Sequence, residues 1–230
     1  FCDPYPEWVI TAGYRSVPIA LLLKRLSANK LRCIHIQDPH HFHRKFDYLV
    51  IPDHDQPSYA NSISYTGALH DITQKKLDHA KTQFDTKKMK GKLVLGLVIG
   101  GNTKKHRMNN NDIVISALNI YNIMKKWKGC CYWITSRRTP PLLKKMLLFL
   151  THYDKTLLNF DGEPDAFVTL LSISEQFMIT SDSVSMISEC AFTGKPIHLI
   201  HLNNDLHMHV VGLIQWITHN FAHFHVLFQK

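Results

Sequence analysis

The residues best suited to chemistry in this 230-residue chain lie between Phe177 and Leu202, FMITSDSVSMISECAFTGKPIHLIHL. A short apolar run, Phe177 to Thr180, leads into Thr180-Ser181-Asp182-Ser183, whose hydroxyl and carboxylate side chains can cap a following helix. Val184, Ile187, Ser188 and Ala191 fall on one face of that helix. Gly194 ends it, Pro196 forbids its continuation, and Ile197 starts another strand. A helix N-terminus at the carboxyl end of a parallel strand offers unpaired N–H groups and the positive end of a dipole to an anion. Glu189 follows Asp182 by about two turns, so it can face the same ligand from the side. One carboxylate beside a hydroxyl-rich turn suits a ribose attached to a diphosphate. The plainer alternative is a βαβ unit with a capped helix.

Further anion-binding groups precede this stretch. Lys92 to Gly101, KLVLGLVIGG, reads as a buried parallel strand, and Gly100-Gly101-Asn102 after it would let backbone N–H groups approach a phosphate closely. A Gly pair alone is a weak signal. Asn111 to Trp127 reads as an amphipathic helix with Ile113, Ile115, Leu118, Tyr121, Ile123 and Met124 as its apolar set. Strand Cys130 to Thr135 then ends in Ser136-Arg137-Arg138-Thr139-Pro140-Pro141. Arg137 and Arg138 there fit diphosphate contact, or serve as surface arginines compensating nearby carboxylates. Thr156 to Phe160 is another strand, followed by a turn at Asp161 and a helix from Asp165 to Ser174. The later part thus repeats strand, turn and helix four times, and in a doubly wound sheet those turns share one edge, where ligands bind.

The elements ahead of residue 85 form a second, smaller set. Glu7 to Thr11 reads as a strand, then Gly13 permits a tight turn beside Arg15, and a helix from about Val17 to Leu26 turns Ile19, Leu22, Leu23 and Leu26 inward. Leu31 to Gln37 and Phe46 to Ile51 are further strands, with Asn61 to Tyr65 a short fourth. Pro52-Asp53-His54-Asp55 would sit at the sheet's carboxyl edge, so Asp53 and Asp55 are candidates for acid or base work, although Asx-turn chemistry also accounts for them. His40, His41 and His43 invite a metal reading, but no Cys, Asp or Glu at fitting spacing completes a site, and they read as loop histidines. Asp71 to Gly91, rich in Lys, Asp and Gln, reads as a peripheral helix and hinge. The expected division is residues 1–85, an incomplete N-terminal Rossmann-like lobe; 86–205, a C-terminal Rossmann-like lobe; and 206–230, a helical segment.

Composition narrows the class. Hydrophobic residues at 45% and charged residues at 20% describe a globular α/β chain, and the longest apolar runs are far too short to span a bilayer. The five cysteines lack paired metal spacing and read as buried thiols of a reducing compartment. A net charge of +9 points to an anionic partner, a nucleotide or membrane surface, while the dispersed basic residues carry no aromatic-interleaved nucleic-acid signature.

With these residues in hand the chain resembles the mitochondrial fission "elongated mitochondria" family of plants and its bacterial relatives, treated as GT-B-type glycosyltransferases. The resemblance is carried by Ala12-Gly13-Tyr14-Arg15, Ile36-Gln37-Asp38-Pro39, Pro52-Asp53-His54-Asp55, Thr66-Gly67-Ala68-Leu69-His70, Ile99-Gly100-Gly101-Asn102, Thr135-Ser136-Arg137-Arg138-Thr139-Pro140, and Ser181-Asp182-Ser183-Val184-Ser185-Met186 through Gly194-Lys195-Pro196, in family order. It implies two Rossmann-like lobes, a nucleotide-sugar held by the second and an acceptor by the first. Gly100, Gly101 and Asn102 would border the diphosphate, Arg137 and Arg138 the phosphates or sugar, Ser183 and Ser185 the helix-start anion site, and Glu189, ahead of Gly194-Lys195-Pro196, the ribose. Phe160 and Asp161 would line the base pocket. The family's N-terminal strand and Gly-rich first loop have no counterpart here, and Asp161-Gly162-Glu163-Pro164 departs from its Asn-Pro-Tyr turn.

The expected function is sugar transfer from a UDP- or GDP-sugar to a lipid-linked acceptor, with no cofactor or metal required and no nucleic-acid partner. The expected location is cytoplasmic, peripheral at an anionic inner membrane or, in a eukaryote, at the outer mitochondrial surface. The alternative is a non-catalytic fission-type scaffold that keeps the fold. An epimerase-like or dinucleotide enzyme is weaker, because the loop after Ile99 lacks a third Gly and a downstream acidic partner.

Overall fold

A computed structural model describes residues 4–55, 57–85, 89, 92–103, 108–126, 129–154, 156–163, 165–200 and 225–226. The chain divides into two compact units, Phe1–Ala68 and Leu69–Lys230. Both are α/β, and every described strand pairing is parallel.

The first unit is a four-stranded sheet in the order β1(Trp8–Ala12), β2(Arg32–Ile36), β3(Tyr48–Pro52), β4(Ser62–Tyr65), with helix α1(Val17–Leu26) in the first crossover. Pro18 in the first turn of α1 pre-sets its backbone where no intrahelical N–H is needed. The inward face differs from the expected one. Val17 and Ala20 are buried and Leu21 and Leu23 partly so, whereas Ile19, Leu22 and Leu26 are each about half exposed. The reason lies in Ala20 and Lys24. The small Ala20 lets the helix approach β2, where the Cys33 thiol meets its carbonyl at 3.8 Å, and Lys24 extends to the Asp47 carboxylate at 2.7 Å. The core is Leu31, Cys33, Phe46, Leu49 and Ile51 around those helix residues. On other positions of the sheet Trp8, Ile10, Tyr48 and Ile63 remain exposed, with Trp8 stacked on Tyr48.

The second unit opens with α2(Gln74–Gln83), capped by Thr73, whose hydroxyl accepts the Lys76 amide. Leu77 and Ala80 of α2 are buried, and the helix lies against α5(Ala166–Ile173). The segment expected as a linker therefore contributes core residues to this unit. Its sheet runs β7(Leu157–Asn159), β6(Cys130–Thr135), β5(Val94–Ile99), β8(Gln176–Thr180), β9(Ile197–Ile200), β10(His225–Val226). In chain order this is 3-2-1-4-5-6, the doubly wound arrangement with its switch point between β5 and β8.

All six residues of β5 are buried, as a central strand covered on both faces requires. Leu95, Leu97 and Ile99 pack with α3(Asn110–Lys126) and α4(Pro141–Tyr153), while Val94 and Val98 pack with the residues of α2, α5 and α6(Val184–Phe192). Gly96 is needed at the strand centre because a Cβ there would lie 2.9 Å from the Phe177 ring. On α3 the inward residues are Ile113, Ser116, Ala117 and Ile120, and Ile115 and Leu118, expected inside, are exposed. Small side chains at 116 and 117 let the helix sit close to the sheet. Of residues 206–230, expected as helical, only His225 and Val226 are described, in parallel register with β9; the remainder lies outside the described residues, as do the side chains of Ile123 and Met124.

Candidate functional site

The site is built where the turns after β5, β6 and β8 meet at the carboxyl edge of the second sheet. The Gly100 amide donates to Thr180 Oγ1 at 2.6 Å, and the Gly101 amide to Asp182 Oδ2 at 3.0 Å. The two junctions therefore share one rim. The same Asp182 oxygen accepts Arg138 Nη2 at 3.0 Å, and the Asn102 amide donates to the Arg138 carbonyl at 2.9 Å. Thr139 Oγ1 donates to the Gly100 carbonyl at 2.6 Å. Five backbone or side-chain bonds thus tie three strand ends into one knot.

This knot corrects the role expected for the Gly100 and Gly101 amides. Both glycine amides are committed to side chains of the β8 turn rather than open to a phosphate. A Cβ on Gly100 would overlap the Asp182 carboxylate, and one on Gly101 would overlap the Arg138 carbonyl. The glycines are small so that the neighbouring turns can close over them. Asn102 Oδ1 accepts the Met108 amide at 2.9 Å, a loop staple. Arg138 is engaged by Asp182, while Arg137 in the same turn is exposed.

Phe160 and Asp161 also take structural positions. Phe160 is buried and packs edge-on with Tyr132 and Phe84, at centroid distances of 5.4 and 5.9 Å, so it is a core ring and not the wall of a base pocket. Asp161 accepts the Thr135 amide at 2.7 Å, the Thr135 hydroxyl at 2.5 Å and Lys144 Nζ at 2.7 Å, tying β6 to α4. In sequence Phe160 ends a strand and Asp161 opens a turn, and their base-pocket role was what the family resemblance implied; only their inward neighbours decide their use.

The remaining candidates at this edge, apart from exposed Arg137, belong to α6. Ser183 is its N-cap, with Oγ accepting the Met186 amide at 3.5 Å, and Ser185 is exposed in the first turn. Glu189 follows Ser185 by one turn on the same face. It is half-buried, and burial first, then the Asp71 carboxylate, raises its pKa above the ordinary Glu value. Asp71 is itself paired with Lys76. In the first unit, Asp53 and Asp55 lie in a single 3-10 turn after β3, and Asp53 Oδ2 accepts the Thr66 hydroxyl at 2.8 Å. Asp55 raises the Tyr65 hydroxyl pKa, after burial as the larger cause.

Reading the chain gave Thr180 a helix-capping role and placed Thr135 and Thr139 within a family motif, but it showed neither their bonds across strand ends nor the part played by Lys144. Hydroxyl residues at the last position of strands β6 and β8 were the available signal. Among the described residues no group of three or more His, Cys, Asp and Glu could hold a metal ion, and no helix is long and apolar enough to cross a membrane.

The family model for "Mitochondrial fission ELM1" matches residues 1–218. The chain belongs to this family. Among relatives, it is 25% identical over 234 residues to the uncharacterized protein RP120 of Rickettsia prowazekii (strain Madrid E), covering 86% of this chain and 66% of that protein. It is 24% identical over 220 residues to the mitochondrial fission protein ELM1 of Arabidopsis thaliana, covering 85% and 51%. The chain therefore spans about half to two-thirds of the length of these relatives. Among solved structures, the UDP-GlcNAc 2-epimerase of Methanocaldococcus jannaschii superposes with TM-score 0.59 at 13% identity, over 96% of this chain and 66% of that one. The Neisseria meningitidis UDP-GlcNAc 2-epimerase bound to UDP-GlcNAc gives 0.54 at 16% identity, over 90% and 62%. The MnaA–UDP structure of S. aureus gives 0.53 at 12%, over 84% and 58%. At these identities the likeness establishes the fold alone, GT-B-like, with Rossmann-type α/β units.

Proposed function

We propose that this member of the family binds a nucleoside-diphosphate sugar at the carboxyl edge of its second unit. The observation that carries the reading is the first turn of α6, with Ser185 exposed, at the switch point of a 3-2-1-4-5-6 sheet, and half-buried Glu189 one turn beyond Ser185. The diphosphate would rest on the α6 amides near Ser183 and Ser185 and meet exposed Arg137, and Glu189 would accept the ribose hydroxyls. The neighbours' UDP and UDP-GlcNAc complexes support a uridine nucleotide over a guanosine one. Sugar transfer to a lipid-linked acceptor at an anionic membrane surface, cytoplasmic or outer mitochondrial, is the activity proposed, with stabilisation of the departing diphosphate by the helix end and Arg and with no metal. Asp53 or Asp55 would accept the proton of the acceptor hydroxyl.

A second reading is favoured by the commitment of the Gly100 and Gly101 amides and by the fission family itself: a scaffold that keeps the fold without a working donor site. Isothermal titration with UDP, GDP and their sugars separates the two. Heat with a nucleotide that disappears in Glu189→Ala supports the donor site, and absence of heat with every nucleotide supports the scaffold. Donor hydrolysis or transfer then distinguishes an enzyme from a nucleotide-binding sensor.

A further inference from the structure

The first unit contains a pocket of about 490 Å³ lined by Tyr14, His40, His41, His43 and Tyr59. Its walls come from the 3-10 turn after β1, the 3-10 turn after β2, and the segment before β4, so it lies at the carboxyl edge of the parallel sheet. Three residues beside it hold left-handed backbone: Gly13 (φ 77°), Gln37 (φ 80°) and His40 (φ 54°). For a residue other than glycine this conformation is strained and persists only where surrounding bonds over-determine it. Here the Gln37 amide donates to the Val50 carbonyl at 2.9 Å, and the His40 amide to Asp38 Oδ1 at 2.7 Å.

Ring contacts and hydrogen bonds join the side chains. His43 stacks flat on Tyr59, with centroids 4.1 Å apart and 10° between planes, and Tyr14 lies 5.6 Å from the His40 ring. Asn61 Nδ2 holds the turn by donating to the His43 and Phe46 carbonyls. Asp38 receives His40 Nδ1 at 3.2 Å and the Tyr59 hydroxyl at 3.4 Å. In the neutral imidazole, an Nδ1–H directed at the Asp38 carboxylate makes His40 Nε2 a hydrogen-bond acceptor. The lining set contains no Lys, Arg or carboxylate, and the imidazoles do not assemble a metal-binding group among the described residues.

Flat aromatic walls with neutral groups that both donate and accept suit a ligand with an apolar ring face and a rim of hydroxyls. We propose that this pocket binds a neutral pyranose ring, stacked on Tyr14 and hydrogen-bonded through its hydroxyls to His40 Nε2. The pocket belongs to the first unit alone, so this inference stands or falls separately from nucleotide binding by the second.

The test is saturation-transfer difference NMR on the full chain, without nucleotide, using methyl α-glucoside, methyl α-galactoside, methyl α-mannoside and N-acetylglucosamine, with inorganic phosphate followed by ³¹P line width in parallel. The expected result is transfer to the ring protons of at least one sugar and a loss of affinity of about tenfold, roughly 1.4 kcal/mol, in both Tyr14→Leu and His40→Ala, each checked for an unchanged circular dichroism spectrum. His40→Gln, which retains an acceptor, should restore part of the loss and also serves should the alanine variant not fold. The proposal is overturned by no transfer with any sugar, by transfer that survives both substitutions, or by binding of phosphate alone.

Discussion

Arg138 and Asp182, from turns after different strands, are joined at 3.0 Å, and the same Asp182 oxygen accepts the Gly101 amide. The Asp182 side chain is only 9% exposed, so truncation would leave the Gly101 amide without its acceptor, whereas Arg138, 40% exposed, can turn to water. Asp182→Ala should lower stability by about 1–3 kcal/mol, read as a shift of the urea midpoint at constant m-value. Asp182→Asn keeps one acceptor and should cost less; equal costs would show that the carboxylate charge carries the contact.

The two glycines after β5 should tolerate substitution poorly for steric reasons. Gly101→Ala meets backbone at Arg138 and should destabilise by about 1–3 kcal/mol or more. Gly162→Ala meets nothing within 4 Å, and only its φ of 90° opposes the change. Thermal unfolding of the two variants should rank Gly101→Ala as the more damaging.

Glu189 links folding and binding with opposite signs. Burial raises its pKa, so folding disfavours the ionised form relative to the unfolded chain, and the associated stability is present at low pH and lost as pH rises through the folded value. Glu189→Gln should therefore raise the melting temperature at neutral pH. The same change should weaken nucleotide affinity by about tenfold, since a hydrogen bond to a charged group contributes roughly 1.5–3 kcal/mol. Calorimetry of both quantities on one variant tests the split.

Asp47 carries the reverse dependence. Burial pushes its pKa up, but the Lys24 hydrogen bond and the Cys33 amide outweigh burial and hold it below the ordinary value. Its contribution is present above the unfolded pKa, about 4, and lost as pH falls through the folded one. Asp47→Asn should flatten the acid limb of stability in a melting series from neutral pH to about pH 3.

Cys33, Cys130, Cys131 and Cys190 are free and buried. Burial foremost raises the Cys131 and Cys190 thiol pKa values, so both should resist alkylation in the native protein and react on unfolding. Peptide mapping after native and denatured treatment with N-ethylmaleimide reads this directly.

Strand and helix existence was legible along the chain because β5, β6 and β8 are continuous apolar runs between polar or glycine-rich turns, a pattern that parallel burial imposes locally. The cap at Ser183 and the stop at Gly194 were legible for the same reason, since a helix end is satisfied within a few residues. Which turn residues face outward was not local. Gly100 and Gly101 look like a phosphate loop until Thr180 and Asp182, about eighty positions away in sequence, take their amides. Phe160 looks like a pocket wall until Tyr132 and Phe84 enclose it, and Ile19 and Leu22 look like core until Ala20 and Lys24 set the rotation of α1. Periodicity specifies elements, but the partners of their polar ends are chosen by strand order, and that order exists only in the folded sheet.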